Sequence, residues 1–292
     1  MSGSGSSSGS GKGRTRRSSR QQPGSRSAGS RSSGAGSSSR RPSTLRASSS
    51  RPSTRRASSR RSRRPLVITA LVLVSVLAFA AAWWFVWVPN GRPALGPGEV
   101  IAIDVSNHQG AIDWSAVAGD EVEAAMIKAT EGNDYVDPRF AENWAGAGEA
   151  GLRRGAYHFF TLCSPGAEQA KNFLAAAPPD PEALAPAIDL ELIGACAKRP
   201  PQAQVDAELA DFRRIVEEAW GRPLLVYARG SFTSEYSIGA LAERPQWVTN
   251  FFARPENDTW TMWQVHYFAK IDGIEGQVDL DVLRLGGIPD PK

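Results

Sequence analysis

The chain has 292 residues, and its nominal charge of +4 hides a division. Residues 1–65 hold Lys12 and 16 arginines with no acid, which leaves 17 basic and 30 acidic residues in 66–292, a net charge of −13. The first segment is Ser, Gly, Arg and Pro with almost nothing apolar, which excludes a packed core there and predicts a disordered tail.

Within the tail, Arg-Pro-Ser-Thr-Leu-Arg-Ala-Ser-Ser (41–49) recurs as Arg-Pro-Ser-Thr-Arg-Arg-Ala-Ser-Ser (51–59), a low-complexity duplication. Arginine runs displace counterions from phosphates, but no aromatic is interleaved to stack on bases, so a solvated, membrane-proximal tail is preferred to nucleic-acid binding. Residues 66–88 follow without a charge. At about 1.5 Å per residue they suffice to cross a hydrocarbon core of about 30 Å. Arg60, Arg61, Arg63 and Arg64 precede this run, and Trp83, Trp84 and Trp87 lie near its far end. That asymmetry predicts a single-pass anchor with its N-terminus in the cytoplasm and the rest of the chain on the extracytoplasmic side. A cleavable signal, with Ala78-Phe79-Ala80 as its cleavage site, is the competing reading. The length of the apolar run and of the region before it favours an uncleaved anchor.

A Gly/Pro linker at 89–98 leads to 99–288, enough chain for one domain with a sizeable core. Strand patterns fall at 99–106, 122–130, 154–160, 184–191, 223–229, 246–252, 260–267 and 276–283. Helical spacing falls between the early ones, at 138–150, 166–176 and 202–220. Strand and helix in alternation predict a parallel sheet, and eight strands predict an α/β barrel of the TIM type with active residues at the carboxyl ends of the strands. Connections after Tyr227 are too short for a full helix each, so the last strands are expected to be irregular.

The run Leu184-Ala-Pro-Ala-Ile-Asp189-Leu-Glu191 ends on two carboxylates two residues apart, hence on one face of a strand. Like charges so close predict that one carboxyl keeps its proton while the other ionises, an acid and a base in three residues. Other strand ends carry Asp104, Glu131, Tyr157 with His158, and Asp279. No metal and no cofactor is expected. The three histidines, at 108, 158 and 266, read as packing or hydrogen-bonding residues, and neither a phosphate-binding glycine loop nor a serine elbow is present.

The ordered motifs Ile103-Asp104-Val-Ser, Gln109-Gly110, Ile112-Asp113-Trp114, Ile127-Lys-Ala-Thr-Glu-Gly132, Asp137-Pro-Arg-Phe140, Gly155-Ala-Tyr-His-Phe159, Ile188-Asp-Leu-Glu191, Trp263-Gln264 and Gly276-Gln-Val-Asp279 resemble glycoside hydrolase family 25, the muramidases similar to the Chalaropsis lysozyme. The resemblance covers 100–284 and implies a peptidoglycan hydrolase cutting the β-1,4 bond between N-acetylmuramic acid and N-acetylglucosamine. It implies Glu191 as proton donor, Asp189 as stabilising carboxylate, and further acids at Asp104 and Asp279. Tyr157, Trp263 and Gln264 are expected to line the sugar cleft. The sequence departs from the family at Trp247-Val-Thr-Asn-Phe-Phe-Ala253 and at Trp263-Gln264-Val265. A glycan-binding module without activity on the same scaffold is the alternative, disfavoured by the intact Asp189, Glu191 and Asp104.

Cys163 and Cys196 lie just past the third and fourth strand patterns. Adjacent strands of a parallel barrel send their loops from one rim, so a disulfide between these two is expected on an oxidising side of a membrane; two unpaired buried thiols are the alternative.

Overall fold

The computed structural model describes residues 63–194 and 196–287. The tail expected to be disordered falls, as far as residue 62, outside the described residues. The first element is the helix α1 (Arg64–Val86), 23 residues with Pro65 in its first turn, where a missing N–H is harmless. None of its residues is buried, and its mean hydropathy reaches 2.5. It is long and apolar enough to cross a membrane by length and composition.

The linker that follows is held along its length. The amide of Lys270 donates to the Pro89 carbonyl at 2.9 Å, and Arg92 donates to Asp120 at 2.9 Å and to the Lys270 carbonyl at 3.1 Å. Arg254 donates to the Ala94 carbonyl at 2.8 Å, and the Leu285 amide to Gly98 at 2.9 Å.

From residue 99 the chain forms β1 (Glu99–Val105), β2 (Val122–Glu131), β3 (Tyr135–Val136), β4 (Arg153–Phe160), β5 (Ala187–Leu190), β6 (Leu225–Ala228), β7 (Gln246–Thr249), β8 (Trp260–Ala269) and β9 (Val278–Arg284). All but the short β3 close into a ring of eight in the order β1, β2, β4, β5, β6, β7, β8, β9 and back to β1. Neighbours from β1 round to β8 run parallel, while β9 is antiparallel to both β8 and β1. The parallel sheet expected from strand and helix in alternation extends as far as β8, and the last strand reverses. The stretch between Ala269 and Val278 is too short for the crossover that a parallel return requires, so the chain turns straight back.

Helices α2 (Trp114–Gly119), α3 (Phe140–Glu149), α4 (Gly166–Ala176) and α5 (Gln202–Trp220) lie along the chain between the earlier strands. After β6 come only short turns, the α-helical α6 (Gly230–Thr233) and a 3-10 turn at Gly239–Leu241. The unforeseen α2 is six residues long and starts where the Asp113 carboxylate accepts from the Ser115 and Ala116 amides. Helix α5 buries Val205, Leu209, Phe212, Val216 and Trp220, steps of three and four along one face. Where α4 starts against it, a Cβ on Gly166 would overlap the Glu208 backbone, so only glycine allows that approach.

Alternation along the strands divides the buried side chains into two sets. Ile101, Ile103, Ile127, Phe160, Ile188, Leu190 and Val226 join the helices in an outer core. Val100, Ala102, Met126, Tyr157, Ala187, Leu225, Tyr227, Trp247 and Met262 fill the barrel itself. The polar site rests on this inner plug, at the carboxyl ends of the parallel strands.

Candidate active site

Above the plug lies a cleft of about 520 Å³. Asp104 from β1, Tyr157 from β4, Asp189 from β5, Gln264 from β8 and Asp279 from β9 all line it, with Glu191 just past the end of β5. The strand expected at 184–191 is shorter, because Pro186 interrupts its start, yet the two-residue spacing still sends Asp189 and Glu191 to one side while Ile188 and Leu190 enter the outer core. Glu131 does not join them: it accepts from Lys128 at 2.7 Å, and it is the Lys128 ammonium that enters the cleft wall, 4.8 Å over the Phe159 ring.

Gln264 organises one wall. Its amide donates to Asp279 at 2.9 Å and to Asp104 at 3.3 Å, two acids that face each other across the β1–β9 ladder. Its carbonyl accepts from the Tyr227 hydroxyl at 3.0 Å and from Thr249 at 3.3 Å, which fixes which end of the amide points at the acids. On the opposite wall Arg229, one residue past β6, donates to Glu191 at 3.0 Å. Asp189 is buried, and its Oδ1 has no hydrogen-bond partner among the described residues.

So many carboxyls in a shielded place hold protons tightly. Burial pushes Asp189 well above the usual carboxylate range, the Glu191 charge pushes it further, and Lys128 and Arg229 oppose both. Asp104 is pushed up by burial, then by the charges of Asp279, Asp281 and Asp189, against the Gln264 hydrogen bond. Asp279 is raised to about 6, by burial first and then by Glu191. Burial and Asp279 likewise raise Asp281, level with Gln264 inside the barrel, whose carboxylate accepts from Trp247 Nε1 at 2.8 Å.

Trp263 is placed elsewhere than expected. It neighbours Gln264 in β8, so alternation turns it into the outer core, where its Nε1 donates to the Asn250 carbonyl at 2.8 Å. The tryptophan of the cleft is Trp247, packed edge-on against Tyr157 and Tyr227. Sequence reasoning also passed over Lys128, Tyr227, Arg229 and Asp281. For Asp281 the signal was present, since it follows Asp279 at the same two-residue spacing that singled out Asp189 and Glu191.

His158 stands back to back with the site. Thr130 lies 2.7 Å from its Nδ1 and Gln169 3.1 Å from its Nε2, and burial lowers its pKa to about 3, so it serves as a neutral packing group against Phe212. Cys163 and Cys196 are joined in a disulfide with their Cα atoms 5.7 Å apart, tying the loop after β4 to the loop after β5. Among the described residues no three His, Cys, Asp or Glu side chains are grouped to hold a metal ion.

The model of the glycosyl hydrolases family 25 matches residues 103–274, a span that takes in Asp104, Asp189 and Glu191. Lysozyme M1 of Streptomyces globisporus is 32% identical over 209 residues, 65% of this chain and 70% of that protein. An uncharacterized Escherichia coli K12 protein, YegX, is 35% identical over 188 residues, 62% of this chain and 68% of its own. Among solved structures, a family 25 glycosyl hydrolase from Bacillus anthracis superposes with a TM-score of 0.60 at 32% identity, covering 66% of this chain and 92% of that one.

Proposed function

We propose that this chain, which belongs to glycosyl hydrolases family 25, is a membrane-anchored muramidase that cuts the β-1,4 bond between N-acetylmuramic acid and N-acetylglucosamine in peptidoglycan. The observation that carries the reading is the placement of Asp189 and Glu191 on one cleft, with Asp104, Gln264 and Asp279 facing them. A glycosidic oxygen leaves poorly without a proton, and the ring carbon turns cation-like as it departs, so the chemistry needs an acid beside a carboxylate. Glu191, at the mouth, is the donor. Glu191 accepts from Arg229, so it is paired there as a carboxylate; when the arriving sugar displaces that guanidinium, the proton held by the Asp189 and Glu191 pair passes to Glu191, which delivers it to the leaving oxygen and leaves Asp189 ionised.

Asp189 is the stabilising carboxylate. Its buried, unpartnered Oδ1 suits an N–H donor, and the acetamido group of the substrate supplies one. Held there, the acetamido oxygen is aimed at the ring carbon and attacks it as the leaving oxygen takes the Glu191 proton; water then attacks that carbon and gives its proton to the Glu191 carboxylate, breaking the new bond to the acetamido oxygen and restoring the acid. Gln264 keeps Asp104 and Asp279 apart while leaving both able to accept from sugar hydroxyls. Tyr157 and Trp247 offer ring faces and edges to the sugar.

Anchoring rests on α1, the arginines before it and the tryptophans at its end. A disulfide suits an extracytoplasmic domain, where thiols are oxidised. The test is digestion of purified peptidoglycan by the full chain in detergent, with borohydride reduction of the new ends. Recovery of muramitol is expected. Glucosaminitol alone would identify the other glycosidic bond as the one cut, and no new ends at all would leave only a glycan-binding module.

A further inference from the structure

Beside the cleft, the domain leaves a group of large aromatic side chains uncovered. Phe251 and Phe252 follow β7 and are 41% and 55% exposed; Tyr267, near the end of β8, is 55% exposed. They form one surface. The Phe251 and Tyr267 rings stand 5.4 Å apart, and Phe252 lies 5.6 Å from Phe268, which packs 5.5 Å from Tyr267. Phe252 also has a positive φ of 61°, a backbone conformation unfavourable to an aromatic residue and one that points to a role beyond packing.

The surface continues into α1. Trp84 packs 6.1 Å from Phe252 and 6.5 Å from Phe268, and Trp83 and Trp87, one turn from each other, stack 5.2 Å apart. The linker bonds hold this arrangement: Pro89 is tied to Lys270 just past β8, and Gly98 to Leu285 at the far end of β9, so the linker runs down the barrel wall from one rim to the other. The end of α1 is therefore fixed at the rim that bears the cleft, and Tyr267 belongs to both the aromatic surface and the cleft lining.

We propose that Phe251, Phe252 and Tyr267 sit in the headgroup interface of the lipid bilayer that α1 crosses, so that the catalytic rim is seated on the membrane and the cleft opens onto glycan next to it. The inference rests on the membrane anchor proposed above. Aromatic rings favour that interface, where an apolar face meets lipid and a polar edge meets water, and here they extend the tryptophan belt of α1 without a break. No such seat is needed by a domain swinging on a loose tether, which would expose these rings to water.

The full chain, made with para-fluorophenylalanine at its 11 phenylalanines and reconstituted in phosphatidylglycerol nanodiscs, tests this by fluorine NMR. Resonances are assigned by single Phe→Leu substitutions, and the probe is a lipid carrying a nitroxide just below its headgroup. Phe251 and Phe252 are expected to broaden several-fold more than the buried Phe212, matching Phe85 of α1. If Phe79 and Phe85 broaden while Phe251 and Phe252 stay as sharp as Phe212, the seat is refuted and the anchor stands. If Phe79 and Phe85 stay sharp as well, α1 is not in the bilayer, and the anchor reading falls together with this inference.

Discussion

Replacing Asp279 with Asn should stabilise the protein at neutral pH while impairing it as an enzyme. Asp279 has its pKa raised from 3.8 to about 6, by burial and then by the Glu191 charge. An acid whose folded pKa is raised binds its proton more tightly folded than unfolded, so its contribution to stability is fully present below the unfolded pKa and is lost as pH rises through the folded one. Here the loss falls between pH 3.8 and about 6. At about 1.4 kcal/mol for each tenfold change in proton affinity, the charged form costs about 3 kcal/mol above that window, an upper figure because the cleft relaxes. Asparagine removes the charge and keeps an oxygen for the Gln264 amide, now 2.9 Å from the aspartate. At 2–4 °C per kcal/mol for a domain of this size, Asp279→Asn should raise the midpoint of thermal unfolding by up to about 6–12 °C at pH 7.5 and by much less at pH 4. The assay is the difference between the two detergent-solubilised proteins across that range, in which other titrating groups such as His158 cancel. A variant no more stable than the parent at pH 7.5 would refute the argument that this carboxylate is held against its preference.

Glu191→Gln keeps the shape of the donor but removes its proton, so turnover of peptidoglycan should fall by about a hundredfold or more with circular dichroism unchanged; Asp189→Asn should be similarly severe. Replacing both Cys163 and Cys196 with Ser opens a loop of 33 residues. The chain-entropy model puts that near 3.7 kcal/mol, so thermal unfolding should move down by up to about 7–15 °C, and a shift within error would show the bridge to be incidental. Trp247→Phe removes the donor to Asp281 and a cleft wall and should lower kcat/KM, whereas Trp263→Phe should change stability and leave kcat/KM nearly as it was. Protease added outside sealed cytoplasmic-membrane protoplasts should remove the catalytic domain and spare the Arg-rich tail; a mature protein that starts near Ala81 and lacks the anchor would show that a signal had been cleaved.

Periodicity carried most of the barrel. Helices α4 and α5 start and stop where the pattern put them because Pro165 and Pro201 stand immediately before their first turns and apolar spacing runs unbroken to Ala176 and Trp220. Alternation gives the face of a residue but not the direction of its strand, so the short stretch before β9 signals an irregular end without showing that the strand reverses. The same alternation shows that Trp263 and Gln264, as neighbours in a strand, point to opposite faces; only the family motif joined them. Arg229 could not be found this way. Its meeting with Glu191 depends on the parallel pairing of β5 with β6 and on where the chain leaves each strand, which alternation within a strand does not show.

The antiparallel β9 also sets an order of events. It follows every other strand in the chain, yet it pairs with β1, the first strand of the barrel, and it delivers Asp279 and Asp281. Under the proposed topology, a chain emerging behind α1 holds that edge of β1 unpaired until β9, about 170 residues later, has followed, a loop closure that comes late because its ends are so far apart in sequence. Until then one wall of the cleft is missing and Gln264 has no Asp279 to hold. On that reading the cleft gains its full set of acids only when the last strand has joined the barrel.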